Sequence, residues 1–290
     1  MSHVRNLFLK PATHGYAPPP APAPVPLTMV PDFPAPSAPA REAAPKSVPL
    51  VSDFPSRSPA PREFLVEQAR IRPEHRIVAY TDPHSPAADR FRYLRMRLRE
   101  PWSAGKLKRL LITSPLAGDG KSTVILNLAT ALSERGQRTV LLVEADLHRS
   151  CLVEKLGLKP WAGLAECLHD GLDPMSAIRR VDPFGWHLLP AGEPPLNPTE
   201  LLQTPALGTV LERVSPNFDW ILIDSPPAVA LTDAISLQQQ ADASLLVVKA
   251  NCTPREAVEQ ATTLLGTKNV LGIVLNGLDA RNHLYNKYQA

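Results

Sequence analysis

The residues best placed to do chemistry lie between Leu110 and Thr123, in the string L-L-I-T-S-P-L-A-G-D-G-K-S-T. An apolar run, Leu110 to Ile112, enters a turn built from Pro115, Gly118 and Gly120, and Lys121-Ser122-Thr123 then opens a segment with helical spacing. Strand, glycine loop and helix in that order form the context a phosphate-binding loop requires. Glycines let backbone N–H groups turn inward around phosphate oxygens, and the helix N-terminus adds partial positive charge. In this reading Gly118, Asp119, Gly120, Lys121, Ser122 and Thr123 surround the bound phosphates. Lys121 reaches the terminal phosphates and the Ser122 hydroxyl ligates Mg²⁺. The loop departs from G-x-x-x-x-G-K-[ST] at one place, where Pro115 stands for the first glycine.

Two acidic clusters fall where such a loop needs them. V-L-L-V-E-A-D-L-H-R ends an apolar run with Glu144 and Asp146, spaced so that both can point over the edge of a sheet. W-I-L-I-D-S-P-P ends another with Asp224. A carboxylate there holds Mg²⁺, directly or through water, beside the β- and γ-phosphates. Carboxylates buried at strand ends are costly unless they serve a cation.

These residues require a scaffold, and the pattern supplies one. From Lys108 onward apolar runs alternate with helical segments. Strands are expected at Leu110–Thr113, Val140–Glu144, Trp186–Leu189, Trp220–Asp224, Ala243–Lys249 and Val270–Leu275. Helices are expected at Ser122–Arg135, Pro198–Val214, Thr232–Gln240 and Pro254–Leu265. The fold class predicted is α/β, a P-loop NTPase with a mostly parallel sheet covered by helices on both faces and phosphate at the carboxyl ends of the strands. Upstream, Ser85-Pro86 reads as a helix start, with Phe91, Leu94 and Leu98 on one face and Arg90, Arg92, Arg95, Arg97 and Arg99 crowding the rest. Such a face is solvated, or touches an acidic protein surface or anionic lipid. Nucleic acid is disfavoured, because neither interleaved stacking aromatics nor a reading motif is present.

The 290-residue chain carries a net charge of only +3, so global charge selects no partner. Its prolines are uneven: 17 of 33 precede Glu74. Residues 1–76 therefore read as a disordered Pro/Ala-rich arm, 77–280 as the P-loop domain with its basic helix, and 281–290 as a tyrosine-bearing tail. Within the arm V-P-D-F-P (Val30 to Pro34) and V-S-D-F-P (Val51 to Pro55) repeat one motif, either a bivalent docking peptide or drift in a low-complexity segment. Cys151, Cys167 and Cys252 form no C-x-x-C pair and read as reduced, buried thiols. No apolar run reaches membrane-span length and the N-terminus lacks a secretory core, so a cytoplasmic protein with no transmembrane span of its own is expected.

The motifs together resemble the bacterial tyrosine kinases, the P-loop autokinases of capsule and exopolysaccharide synthesis. L-L-P-A-G-E-P-P-L-N-P-T-E-L-L (Leu188 to Leu202) resembles that family's G-x-x-P-x-N-P-x-E-L-L segment, and D-S-P-P-A-V-A-L-T-D-A (Asp224 to Ala234) its D-T-P-P-x-x-x-x-T-D-A. The resemblance runs from about Ala87 to the C-terminus. It implies a Mg²⁺-ATP-dependent tyrosine autokinase that regulates polysaccharide polymerisation and export, with Lys121 and Ser122 on phosphate and Mg²⁺, and Asp146 and Asp224 organising the metal. Glu144 stands where the family has an aspartate that helps deprotonate the incoming tyrosine, and His148 and Ser150 replace its usual Arg and Pro. Asp89, Arg92 and Arg95 match an E-x-x-R-x-x-R motif that packs subunits into a ring, with Asp for Glu. Tyr285 and Tyr288 are the implied acceptors. A membrane polysaccharide copolymerase is the implied activator, holding the protein peripherally at the inner face of the membrane. A nucleotide-binding regulatory scaffold with little kinase activity is the alternative. Positioning ATPases of the same fold fit less well, since Leu116 stands where they carry a second lysine.

Overall fold

The computed structural model describes residues 63–278. In chain order the elements are β1 (Val66–Gln68), α1 (Val78–Thr81), α2 (Pro86–Ser103), β2 (Arg109–Thr113), α3 (Lys121–Leu132) and β3 (Val140–Glu144). Next come α4 (Leu152–Lys155), α5 (Leu164–His169), α6 (Pro174–Ala177), β4 (Arg179–Asp182), β5 (Trp186–Leu189) and α7 (Pro198–Leu202). The C-terminal half adds α8 (Ala206–Val214), β6 (Trp220–Asp224), α9 (Asp233–Gln238), β7 (Ala243–Lys249), α10 (Arg255–Leu265) and β8 (Val270–Asn276).

The strands form one eight-stranded sheet in the order β1-β4-β5-β3-β6-β2-β7-β8. Every neighbouring pair is parallel except β4 with β5. Six strands from β5 to β8 thus run one way, and β4 and β1 run against them. Because side chains alternate along a strand, each central strand feeds both faces. Leu111, Leu141, Val143, Ile221 and Ile223 join a core under α5, α8, α9 and α10. Leu110, Ile112, Val140, Leu142, Trp220 and Leu222 join a second core under α2 and α3. Continuous apolar strands are what burial on both faces demands. β8 departs from this: Leu271, Ile273 and Leu275 are 47%, 51% and 56% exposed, so one face of this edge strand is uncovered.

α2 begins as expected, with the Ser85 hydroxyl accepting the Ala88 N–H at 3.2 Å. Leu98 is buried, and Phe91 and Leu94 pack against the α3-side core. Its last turn is anchored by Trp102, which stacks on Trp220 at 5.7 Å and donates its indole N–H to the Asp219 carbonyl at 2.9 Å.

Several expectations are corrected. Residues 66–68, expected within the arm, pair with β4, and Phe64 packs edge-on against His187. The helix expected to run to Arg135 stops at Leu132, because Glu134 and Arg135 take φ of 47° and 60°. The segment Pro198–Val214 is two helices, not one. Pro205 has no N–H to give and disfavours helical geometry at the residue before it. All three thiols are free, but Cys252 is exposed and Cys151 half-buried. The rest of the arm with its Asp-Phe-Pro repeats, and the tail with Tyr285 and Tyr288, lie outside the described residues.

Candidate nucleotide site

The loop between β2 and α3 is shaped by its own side chains. The Ser114 hydroxyl donates to the Leu116 carbonyl at 2.7 Å, and the Leu116 N–H donates to Asp119 Oδ2 at 3.0 Å. Gly118 and Gly120 take φ of 86° and 97°, a region that suits glycine. Gly120 has a second reason to lack a side chain: a Cβ there would sit 1.9 Å from Asn276 Nδ2. That amide donates to the Asp119 carbonyl at 2.9 Å, and the Thr253 hydroxyl donates to Asp119 Oδ1 at 2.7 Å. Asp119, expected beside the nucleotide, thus spends both carboxylate oxygens on holding the loop and tying it to the ends of β7 and β8.

Glu144 and Asp224 are register partners across β3 and β6, and Ile112 pairs with Asp224 on the other side. Both carboxylates are therefore held beside the start of the loop by the sheet itself. Asp224 is buried at 2% exposure and its Oδ1 has no hydrogen-bond partner. Burial pushes its pKa up to about 7, against the pull of Lys121. Burial also raises Asp146, again opposed by Lys121, and Asp146 accepts the Arg149 N–H on Oδ1 at 3.1 Å. Lys121, Asp146 and Asp224 thus converge electrostatically. Ser122 lies next to them, its hydroxyl 3.2 Å from Cys151 Sγ.

Glu144 is employed differently. Its Oε1 accepts the Cys151 and Leu152 N–H groups at 2.6 and 2.7 Å, and its Oε2 accepts the Ala191 N–H at 3.3 Å. Burial raises its pKa, and the same three amides oppose the rise. His148 joins three of the sequence motifs. Its Nε2 lies 2.8 Å from Asp233 Oδ2, in the Thr-Asp-Ala string, and 3.5 Å from Thr199 Oγ1, in the Asn-Pro-Thr string.

An unpartnered, buried Asp224 oxygen beside a lysine and a hydroxyl suits a hydrated hard cation. Among the described residues no three His, Cys, Asp or Glu side chains cluster closely enough to hold a metal alone. Mg²⁺ takes one or two protein carboxylates and completes its shell with water and phosphate.

Asp89, Arg92 and Arg95 share one face of α2, and all three are engaged within the chain. Arg92 pairs with Asp89 and donates to the Pro83 carbonyl. Arg95 donates to the Ala131 carbonyl at 3.1 Å and lies 3.8 Å from Glu134, at the C-terminal end of α3. Thr253, Asn276, Cys151 and the Ala191 amide escaped sequence reading. Only Asn276 carried a signal, as a polar residue ending an apolar strand before Gly277. Among the described residues no helix is long and apolar enough to cross a membrane.

Comparison with known proteins places this geometry. The family described as cellulose biosynthesis protein BcsQ matches residues 108–282. Tyrosine-protein kinase YwqD of Bacillus subtilis is 29% identical over 214 residues, covering 73% of this chain and 90% of that protein. Putative tyrosine-protein kinase AmsA of Erwinia amylovora is 29% identical over 222 residues, covering 75% of this chain but only 30% of its own length. The kinase domain of the Escherichia coli tyrosine kinase ETK superposes with a TM-score of 0.67 at 26% identity, over 71% of this chain and 82% of that domain.

Proposed function

The chain belongs both to the family described by cellulose biosynthesis protein BcsQ and to the bacterial tyrosine kinases, and from that premise we propose that it is an ATP-dependent protein-tyrosine autokinase of an exopolysaccharide or capsule system. The observation that carries the reading is the convergence of Lys121, Asp146 and the unpartnered Asp224 on the mouth of a glycine loop. The backbone N–H groups of Gly118 to Ser122 cradle the phosphates, and Lys121 neutralises charge on the terminal ones. Ser122, Asp146 and Asp224 are the residues that would hold Mg²⁺, which supplies charge neutralisation across the β- and γ-phosphates.

Transfer forms a bond between a phenolic oxygen and the γ-phosphorus and breaks the bond from that phosphorus to the bridging oxygen of ADP. The phenolic proton passes to Asp146 Oδ2, which takes no part in the hydrogen bond to Arg149 and is free for it where Asp146 would hold Mg²⁺ only through water. Such transfers depend mainly on positioning and charge stabilisation, which suits a site built from backbone amides and fixed carboxylates. Tyr285 and Tyr288 are the acceptors. Asp89, Arg92 and Arg95 contribute to a ring of copies, and a membrane polysaccharide copolymerase recruits the protein to the inner face of the membrane and activates it.

The test is phosphopeptide mass spectrometry of the purified chain after Mg²⁺-ATP, beside Lys121→Met, with a cytoplasmic fragment of the activator present. Phosphate on Tyr285 or Tyr288 in the intact chain only is the expected result. Undiminished phosphotyrosine in a folded Lys121→Met protein overturns it. One observation favours a second reading: Glu144, in the place of the family's proton-accepting aspartate, is fully occupied by backbone amides. ATP binding without phosphotyrosine in the presence of activator would select that reading, a nucleotide-dependent regulatory scaffold.

A further inference from the structure

The proposed transfer leaves Cys151 without a role. Its half-buried thiol lies 3.2 Å from the Ser122 hydroxyl, the same oxygen that would ligate Mg²⁺. Glu144, 1% exposed, fixes the backbone there by accepting the Cys151 and Leu152 N–H groups on one oxygen at 2.6 and 2.7 Å. Asp224 is the register partner of Glu144 on the neighbouring strand, and its buried Oδ1 has no hydrogen-bond partner. Thiol and carboxylate share one electrostatic neighbourhood. Burial raises the pKa of both, Glu144 and Lys155 act on both, and the charge of Asp224 acts on the thiol itself. Cys151 also lines a cleft of ≈ 380 Å³ with Val153, Leu158 and Trp161, which gives small ions a way to the sulfur.

A thiol in this position is of no use to Mg²⁺, a hard cation that takes oxygen ligands in an octahedron. It suits a softer one. Zn²⁺ binds thiolate sulfur at about 2.3 Å and oxygen at about 2.1 Å in a tetrahedron, which sets two such ligands about 3.6 Å apart. Cys151 Sγ and Ser122 Oγ stand 3.2 Å apart, so a cation can replace the hydrogen between them after an opening of about 0.4 Å. The unpartnered Asp224 Oδ1 supplies a third ligand, and a buried carboxylate without a partner is costly until it gains a cation. This set holds only two of the His, Cys, Asp and Glu side chains, in keeping with the absence of a closed three-residue cluster among the described residues. A phosphate oxygen or water completes the tetrahedron.

We propose that Cys151 Sγ, Ser122 Oγ and Asp224 Oδ1 form an inhibitory site for a thiophilic divalent cation, represented by Zn²⁺, whose binding excludes Mg²⁺. The proposal rests on the nucleotide reading above, because two of its three ligands are residues assigned there to Mg²⁺. Binding breaks the S–H bond, forms a metal–sulfur bond and releases the proton to water, with no change of oxidation state. A tetrahedral cation on three protein ligands keeps one open position. That is too few to bridge the β- and γ-phosphates and also hold the waters of a Mg²⁺ shell. Soft sulfur gives the selectivity, since thiolate favours Zn²⁺ over Mg²⁺ where an all-oxygen site discriminates less.

The experiment uses the full chain with Cys252→Ser throughout, which removes the exposed thiol. Cys151→Ser and Asp224→Asn are compared in that background. Cd²⁺ reports sulfur ligation through thiolate-to-metal charge-transfer absorption in the ultraviolet, and calorimetry gives the affinity for Zn²⁺. Mn²⁺ stands in for Mg²⁺: bound with a non-hydrolysable ATP analogue, it is released into the free-ion signal of electron paramagnetic resonance when displaced. With Cys151 present, one equivalent of Cd²⁺ is expected to give the absorption band and one equivalent of Zn²⁺ to release the Mn²⁺. Cys151→Ser should lose the band and raise the Kd for Zn²⁺ about a hundredfold, and Asp224→Asn should raise it about tenfold. A band or a Zn²⁺ affinity that survives Cys151→Ser overturns the sulfur ligand. Zn²⁺ affinity indifferent to Asp224→Asn overturns the three-ligand site. Mn²⁺ that stays bound while Zn²⁺ saturates the thiol overturns the exclusion of Mg²⁺. Should Mn²⁺ and the analogue never bind, while the band still depends on Cys151 and Asp224, the nucleotide reading falls and the thiol site stands. Circular dichroism checks folding, and Cys151→Ala decides the case should Cys151→Ser unfold.

Discussion

Lowering the pH should destabilise this protein through one buried histidine that is not part of the nucleotide site. His187 on β5 is buried between Phe64 and Phe218, whose rings lie 4.6 and 5.2 Å away, and its Nδ1 has no hydrogen-bond partner. Burial drives its pKa down from 6.5 to about 4, only partly offset by its hydrogen bond to the Val140 backbone. The unfolded chain therefore binds a proton that the folded chain refuses. Stability from this residue is fully present above pH 6.5, falls as pH drops below that value, and is exhausted near pH 4. Integrating between those limits, the loss from pH 7.5 to pH 5 is about 2 kcal/mol. Urea melts of wild type and His187→Leu at the two pH values measure it. Carboxylates contribute equally to both proteins, so the wild type should lose about 2 kcal/mol more than the variant over that interval. Equal losses would show that His187 is protonated in place and refute the argument.

Other perturbations bear on the site. Gly120→Ala forces a Cβ into Asn276 at a φ of 97°, and should lower ATP affinity about tenfold or more by isothermal calorimetry while shifting the melting temperature by only a few degrees. Unchanged affinity would mean that the loop does not depend on this glycine. Arg92→Ala with Arg95→Ala should reduce oligomer size by light scattering, and an unchanged mass would remove both residues from the ring contact. The same double variant also strips Arg95 from the Ala131 carbonyl, so a loss of about 1 kcal/mol in stability is expected alongside.

What could be read from sequence divides along physical lines. The five strands from β5 to β7 announced themselves because burial on both faces demands uninterrupted apolar runs, β8 by an apolar run of which one face stays exposed, and the phosphate loop by its remaining glycines and the Lys-Ser-Thr that follows. β1 and β4 were invisible: V-E-Q and R-R-V-D are short and polar, and they become strands only by pairing with each other and with β5 at the sheet's edge. The break between α7 and α8 was legible in Pro205, but helical spacing on either side masked it. The carboxylates were found because strand ends are where charge can gather. Their employment was not, since Glu144 is defined by amides 7, 8 and 47 residues away. The same holds for the Asp119 bonds to Thr253 and Asn276, at separations of 134 and 157 residues, which no local pattern records.

The first and last strands of many domains lie close together; here β1 and β8 are the opposite edges of one sheet. The described chain enters through β1 at one edge of an eight-stranded sheet and leaves through β8 at the other. Seven strand spacings separate them, about 34 Å. A circular permutant would need a bridging peptide of about ten residues or more. Two bodies inserted beside Val66 and Asn276 would be held apart by the full width of the sheet. A dye on each edge would make that width a ruler, reading any splay of the strands that flank the nucleotide as a change in energy transfer.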